Sequence, residues 1–179
     1  MKIAITGHSA GIGQALAKVY QEQGHEIVGL SRRNGYNIRS IPKVAAMIEP
    51  CDMFINNAQV GFAQTELLFE VWRLWQGQEK TIMVIGTMMT SMPVPHTPEM
   101  YEYLVQKNAL DDACQQLMYK SFQPRIIQVK PGAVATQNNH NDKYADPDEW
   151  AQGLIRCFDA VAPNLEITEI ALGPFNDGR

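Results

Sequence analysis

Short apolar runs alternate with longer amphipathic stretches along the chain. Lys2-Ile3-Ala4-Ile5-Thr6 reads as a buried strand, and Glu26 to Ser31, Asp52 to Asn56, Thr81 to Ile85, Arg125 to Val129 and Glu166 to Leu172 repeat the pattern. Gly11 to Gln23 places Ile12, Leu16, Val19 and Tyr20 on one helical face, and Gly24 stops it. Ser40 can cap a short helix, Ile41 to Ile48, with Pro42 in its first turn and Pro50 beyond its end. Ala63 to Gln76 is a helix rich in Leu, Phe and Trp. Thr97-Pro98-Glu99 pairs an N-cap with a first-turn proline and opens a helix to about Tyr119. Asp146-Pro147-Asp148-Glu149 opens the last helix with a cap, a proline and first-turn acids. Pro131-Gly132 breaks the strand over 125–129. Apolar strands alternating with helices imply β-α units, and the expectation is one doubly wound α/β domain over residues 1–179, a mostly parallel sheet with helices on both faces.

Composition narrows the function classes. Fifteen Lys+Arg face nineteen Asp+Glu in 179 residues, a net charge of -4, with no basic run, so phosphate-driven nucleic-acid binding is not expected. Thr81 to Met89, the longest nearly uncharged apolar stretch, is too short for a bilayer span of about 20 residues. Cys51, Cys114 and Cys157 are odd in number and widely spaced, which implies neither a disulfide framework nor a cysteine-based zinc site, and no metal is expected. Met1 to Ile5 lead directly into a glycine motif without signal-peptide anatomy. A soluble protein of the reducing cytoplasm is expected.

The glycine motif is Thr6-Gly7-His8-Ser9-Ala10-Gly11-Ile12-Gly13, between the first strand and first helix. Gly7 suits the tight turn, Gly11 admits close backbone approach, and Gly13 lets helix and strand pack closely. A pyrophosphate would then rest on helix N–H groups, with Ser9 and Ile12 inside the same loop. In Rossmann-type sheets an acid for the ribose 2′-hydroxyl often follows the second strand. Here the chain reads Ser31-Arg32-Arg33, and two guanidiniums favour a 2′-phosphate, hence NADP(H) over NAD(H). Asn37 could meet the adenine edge. His8 reads as a loop residue facing solvent or cofactor.

Taken together, Thr6 to Gly13, Asn56-Asn57-Ala58, Tyr103-x-x-x-Lys107 and Pro131-Gly132 resemble the short-chain dehydrogenase/reductase family, in that family's order and on the expected elements. The resemblance spans nearly the whole chain, in a version on the order of 70 residues shorter than usual. It implies an NAD(P)-dependent oxidoreductase acting on a small carbonyl or alcohol. Tyr103 would be the acid-base group, and Lys107, one turn on, would lower its pKa and bind the nicotinamide ribose. Asn57 and Ala58 would line the floor of the site, although the family's usual glycine is replaced by Gln59. Pro131, Gly132, Val134 and Thr136 would hold the nicotinamide. For the catalytic hydroxyl, strand register points to Thr87 and spacing to Thr90 or Ser91. Thr87 is favoured, because a hydroxyl at a strand's carboxyl end faces the ligand crevice. The family's asparagine that anchors a relay water has no match in the helix over 65–76.

The polar segment Gln137 to Ala145, with His140, sits where the family carries its substrate-covering loop and implies a polar or open pocket. Trp72, Trp75 and their apolar neighbours cover most of the helix over 65–76, more than one packed stripe requires. The surplus and the resemblance together imply a homodimer. A nucleotide-sensing regulator without catalysis is the alternative, for which Gln59 and the missing asparagine speak. A same-fold epimerase or dehydratase would need more C-terminal chain.

Overall fold

Alternation within each apolar run decides which face of the sheet a residue serves. The computed structural model describes residues 1–91, 97–120, 123–136, 141, 143–162 and 164–174. Strands β1 (Lys2–Thr6), β2 (Glu26–Leu30), β3 (Met53–Asn56), β4 (Thr81–Ile85), β5 (Arg125–Pro131) and β6 (Glu169–Leu172) form one parallel sheet in the order β2-β1-β3-β4-β5-β6. Ile3, Ile5, Ile55, Met83 and Val129 point to one face, under helices α1 (Gly11–Glu22) and α5 (Pro147–Asp159). Ala4, Phe54, Ile82 and Val84 point to the other, under α2 (Ile41–Ile48), α3 (Ala63–Leu74) and α4 (Pro98–Lys120). The fold is the expected doubly wound α/β domain. None of the described helices is long and apolar enough to cross a membrane.

From β1 the chain steps outward through α1 to β2, then returns across β1 to β3. The winding reverses between β1 and β3, and the crevice outside the carboxyl ends of strands at such a reversal is where α/β sheets bind ligands. Both the glycine turn after β1 and Asn57-Ala58 after β3 lie there. β2 stands at an edge of the sheet, with no strand outboard of it among the described residues.

Three boundaries differ from the sequence reading by two residues or more. β6 begins at Glu169 and not Glu166, whose carboxylate instead pairs with Arg125 at 2.7 Å, below the first rung of the β5–β6 ladder. β5 runs on through Pro131. Gly132 and Gln128 direct their N–H groups toward β6, so Pro131 faces β4, whose pairing has already ended at Ile85. The missing N–H costs no ladder bond there. α3 ends at Leu74.

The apolar surplus on α3 is absorbed within one chain. Trp75 has no exposed surface, packs in the core shared by α2, α3 and α4, and donates its indole N–H to the Glu49 carbonyl at 3.2 Å. Trp72 is 5% exposed, with the Lys120 ammonium over its ring. The expected dimer therefore loses its argument from exposed apolar area and keeps only the resemblance. Removing the Trp75 side chain leaves a large cavity. Trp75→Ala should lower unfolding free energy by about 3–5 kcal/mol, read from the urea midpoint at constant m-value. A loss below about 1 kcal/mol would show that the tryptophan is not the keystone of this core.

Candidate functional site

The glycine turn is built by close approach. Gly7 and Gly11 adopt left-handed backbone, with φ of 71° and 53°. A Cβ at Gly13 would lie 2.4 Å from the Gly7 carbonyl oxygen and 2.6 Å from Asn57 Nδ2. Helix α1 thus starts directly against β1 and the end of β3. Asn57 donates its side-chain amide to the Thr6 carbonyl at 2.9 Å, and Thr6 Oγ1 accepts from the Asn57 and Ala58 backbone amides at 3.0 and 3.1 Å. Ala10, the N-cap of α1, offers no side-chain acceptor, and the first turn carries no acid. Its amides therefore remain available to an anion, and the helix dipole favours one there. Thr136 approaches from the other side, its Cγ2 3.1 Å from where a Gly11 Cβ would be.

Beyond the turn, a cleft of about 360 Å³ opens at the ends of β1, β2 and β3, lined by Ser9, Arg32, Arg33, Asn37, Ala58 and Gln59 among others. No carboxylate lines it among the described residues. Ser31 caps the following 3-10 turn, Arg32–Asn34, with its amide on Asn34 Oδ1 at 2.8 Å, which sets both arginines at the rim. Arg33 folds over the glycine turn onto the Ser9 carbonyl at 3.2 Å, and Arg32 is exposed. Asn37 Oδ1 accepts from the Arg39 amide. His8 is half-buried and does not line the cleft. Its ring fills the space above Gly29 of β2, where a Cβ would come within 2.3 Å.

On α4, Tyr103 and Lys107 project from successive turns, the ammonium 5.8 Å from the phenol ring centroid. The Thr87 hydroxyl, just past the end of β4, accepts from the Met89 amide at 3.3 Å and stands near enough to the Tyr103 phenol to favour its charged form. The two alternatives turn elsewhere: Thr90 donates to Asp111 at 2.6 Å, and the Ser91 hydroxyl accepts from Lys130 at 3.2 Å. Only Thr87 of the three is brought to the tyrosine. The expected lowering of the Tyr103 pKa by Lys107 is not found. Burial pushes the phenol above its ordinary value and Asp111 adds to this, while the Thr87 hydrogen bond opposes it. The ammonium, beside the ring, spends two of its donors on Gln64 Oε1 at 2.9 Å and the Ile85 carbonyl at 3.0 Å.

Lys107 is itself 4% exposed, and burial pushes its pKa down to about 8 against the attraction of Asp111. Holding a charged lysine there costs stability, on the order of 3 kcal/mol. Because the folded-state value lies below the unfolded 10.5, the penalty is present in full below pH 8 and fades as the pH rises towards 10.5.

Two residues that read as ordinary helix polars anchor this end of the sheet. Gln64, 2% exposed in the first turn of α3, joins β3, β4 and Lys107. Asp111, one turn beyond Lys107, accepts from Thr90 and Gln128 and pairs with the buried Lys130 at 3.2 Å, which also reaches Glu169 at 3.1 Å. The available signal was polar Gln128 and Lys130 alternating with Ile127 and Val129 on a central strand. Gln59 sends its side-chain amide to Gln106, which continues to Glu102. After β5, Gly132 is pressed between Met88 and Gly173, and Val134 bridges to Ala145. His140 and the rest of the segment 137–140 lie outside the described residues.

No family model and no curated protein sequence matches this chain. Solved structures do. An alcohol dehydrogenase from the archaeon Thermococcus sibiricus, complexed with 5-hydroxy-NADP, superposes with a TM-score of 0.73 at 17% identity, covering 97% of this chain and 96% of that one. A short-chain dehydrogenase from Burkholderia cenocepacia J2315 in complex with NADP gives 0.72 at 16% identity, over 96% and 87% of the two chains. The 3-alpha-hydroxysteroid dehydrogenase of Pseudomonas sp. B-0831, complexed with NADH, gives 0.61 at 19%, over 96% and 94%. The chain has the Rossmann fold of the short-chain dehydrogenases/reductases.

The depressed lysine is directly measurable. In protein carrying 13C-labelled lysine, one Cε resonance should titrate with a midpoint near 8, and Lys107→Met should remove that resonance. A midpoint near the ordinary lysine value of about 10.4 would contradict the burial described above.

Proposed function

We propose that the protein is an NADP(H)-dependent oxidoreductase of the short-chain dehydrogenase/reductase family, moving a hydride between nicotinamide and a small carbonyl or alcohol. The observation that carries this reading is the meeting of Thr87, Tyr103 and Lys107 at the end of the sheet that also carries the glycine cradle. The uncapped first turn of α1 and the acid-free cleft fit a dinucleotide. Gly7, Ser9, Gly11, Ile12 and Gly13 would hold its pyrophosphate. Arg32, Arg33 and Asn37 would hold the adenosine end, and Asn57, Ala58, Pro131, Gly132, Val134 and Thr136 the nicotinamide end. When bound, the nicotinamide supplies or accepts the hydride.

The chain's own residues handle the proton. A phenol held above its ordinary pKa is fully protonated near neutrality, so Tyr103 rests as the acid and gives its proton to a carbonyl oxygen. Thr87 donates to the phenolate that forms and limits its cost. In the reverse direction Tyr103 takes the proton of a substrate hydroxyl. Lys107 has three N–H donors, two of them committed to Gln64 and Ile85, and the third would serve a ribose hydroxyl. A homodimer belongs to this proposal on the resemblance alone, and a reducing cytoplasm suits the free cysteines Cys51, Cys114 and Cys157.

Two measurements test it. NADPH should bind more tightly than NADH by fluorescence, and Arg32→Ala or Arg33→Ala should weaken NADPH about ten- to a hundredfold while hardly touching NADH. Equal affinities in the unmodified protein would remove the NADP(H) preference. With a substrate found from a carbonyl panel, Tyr103→Phe should keep cofactor binding and lose turnover by about a hundred- to ten-thousandfold. Undiminished turnover would end the mechanism, and NADPH binding with no turnover of any substrate would favour the nucleotide-sensing regulator.

A further inference from the structure

The buried carboxamide of Gln64 has a single possible orientation. Its Nε2 group donates to the Asn56 carbonyl at 2.8 Å and to the Ile85 carbonyl at 3.0 Å, while its backbone carbonyl accepts from Asn56 Nδ2 at 2.9 Å. With two acceptors on the nitrogen side, Oε1 must face the remaining donor, the Lys107 ammonium, 2.9 Å away. The usual ambiguity between amide oxygen and nitrogen is absent here. We infer that Gln64 is the positioning residue for Lys107: one side chain closes the carboxyl ends of β3 and β4 and presents its oxygen to the ammonium, so that protein atoms alone set where the charge stands beneath Tyr103.

The inference rests on the role proposed above for Lys107, but its physical content does not need a cofactor. An ammonium without water requires acceptors in place of hydration. Lys107 finds two, Gln64 Oε1 on α3 and the Ile85 carbonyl at the end of β4. The charged and titratable groups around it all lie on its own helix: Asp111, which favours the ammonium, Cys114, and the Tyr103 ring. Lys130 on β5 engages Asp111 and partly spends that carboxylate. Gln64 is therefore one of the two neutral acceptors that stand in for water around the ammonium. Because Gln64 also ties β3 to β4, a purely structural role has to be separated from a role toward the lysine.

Two substitutions with opposite signs achieve that separation. Gln64→Met keeps the volume and removes the acceptor, and the Lys107 Cε titration should fall by about one to two pH units, the loss of one charge-assisted hydrogen bond. Gln64→Glu places a carboxylate on the ammonium, and the same midpoint should rise above that of the parent protein. General loosening of the fold moves the midpoint the same way in both variants, so it cannot imitate this result. Where turnover is measurable, Gln64→Met should lower kcat about ten- to a hundredfold with the substrate KM little changed. A Lys107 midpoint that is unmoved in both variants, or failure of both to fold, would overturn the inference and leave Gln64 a structural plug. A protein that binds no NADPH yet shows the opposed shifts would refute the proposed function and leave the coupling standing.

Discussion

The molecule is organised around a contact that only a missing side chain permits. Gly13 lets α1 begin where its backbone meets the Gly7 carbonyl, and the Asn57 amide closes the third side of that contact. The turn after β1, the first turn of α1 and the segment after β3 are thereby held within van der Waals distance. The crevice at the reversal of the sheet inherits its shape from them. A methyl group at this one position would have to push back either the helix or Asn57, and the cleft beyond would change with it. The arginine rim, Thr136 and the ends of β3 and β4 are all placed relative to this junction.

A second layer of order is polar and lies under α3 and α4. Gln64 draws together residues from three elements and Asp111 from two, and between them they fix the turn after Thr87, the helix that carries Tyr103 and Lys107, and the end of β5. Buried polar groups of this kind are stabilising only when every partner is present. Lys107 itself detracts from stability at neutral pH, the pattern expected where a residue is kept for chemistry and not for packing.

Much of this was legible in the sequence. Strands buried on both faces read as near-continuous apolar runs, and proline, glycine and aspartate mark the helix ends through backbone geometry, so elements and topology could be inferred locally. The glycine turn and the Tyr103/Lys107 pair were legible because spacing along one element determines them. Gln64, Asp111 and Lys130 were not, since a polar residue in an amphipathic helix or strand announces burial only through partners distant in sequence. The partners of His8 and Gln59 were hidden for the same reason. Gly29 makes room for one ring and Gln106 receives the other side chain, and neither neighbour can be read from the motif itself. Trp72 and Trp75 overstated the exposed surface, because the depth of the core between α2 and α4 is not written in α3.

The last strand of the sheet is also its lightest. β6 has four residues, all at least partly exposed, and is held mainly by Lys130, the Trp150 indole on the Leu172 carbonyl, and its ladder to β5. Elements with so few buried contacts open at a fraction of the global unfolding free energy. What β6 carries at its end is Gly173, pressed against Gly132 and Met88, the residue next to Thr87. Opening of β6 would therefore loosen the packing beside Thr87 and leave the glycine turn after β1, on the other side of the sheet, in place.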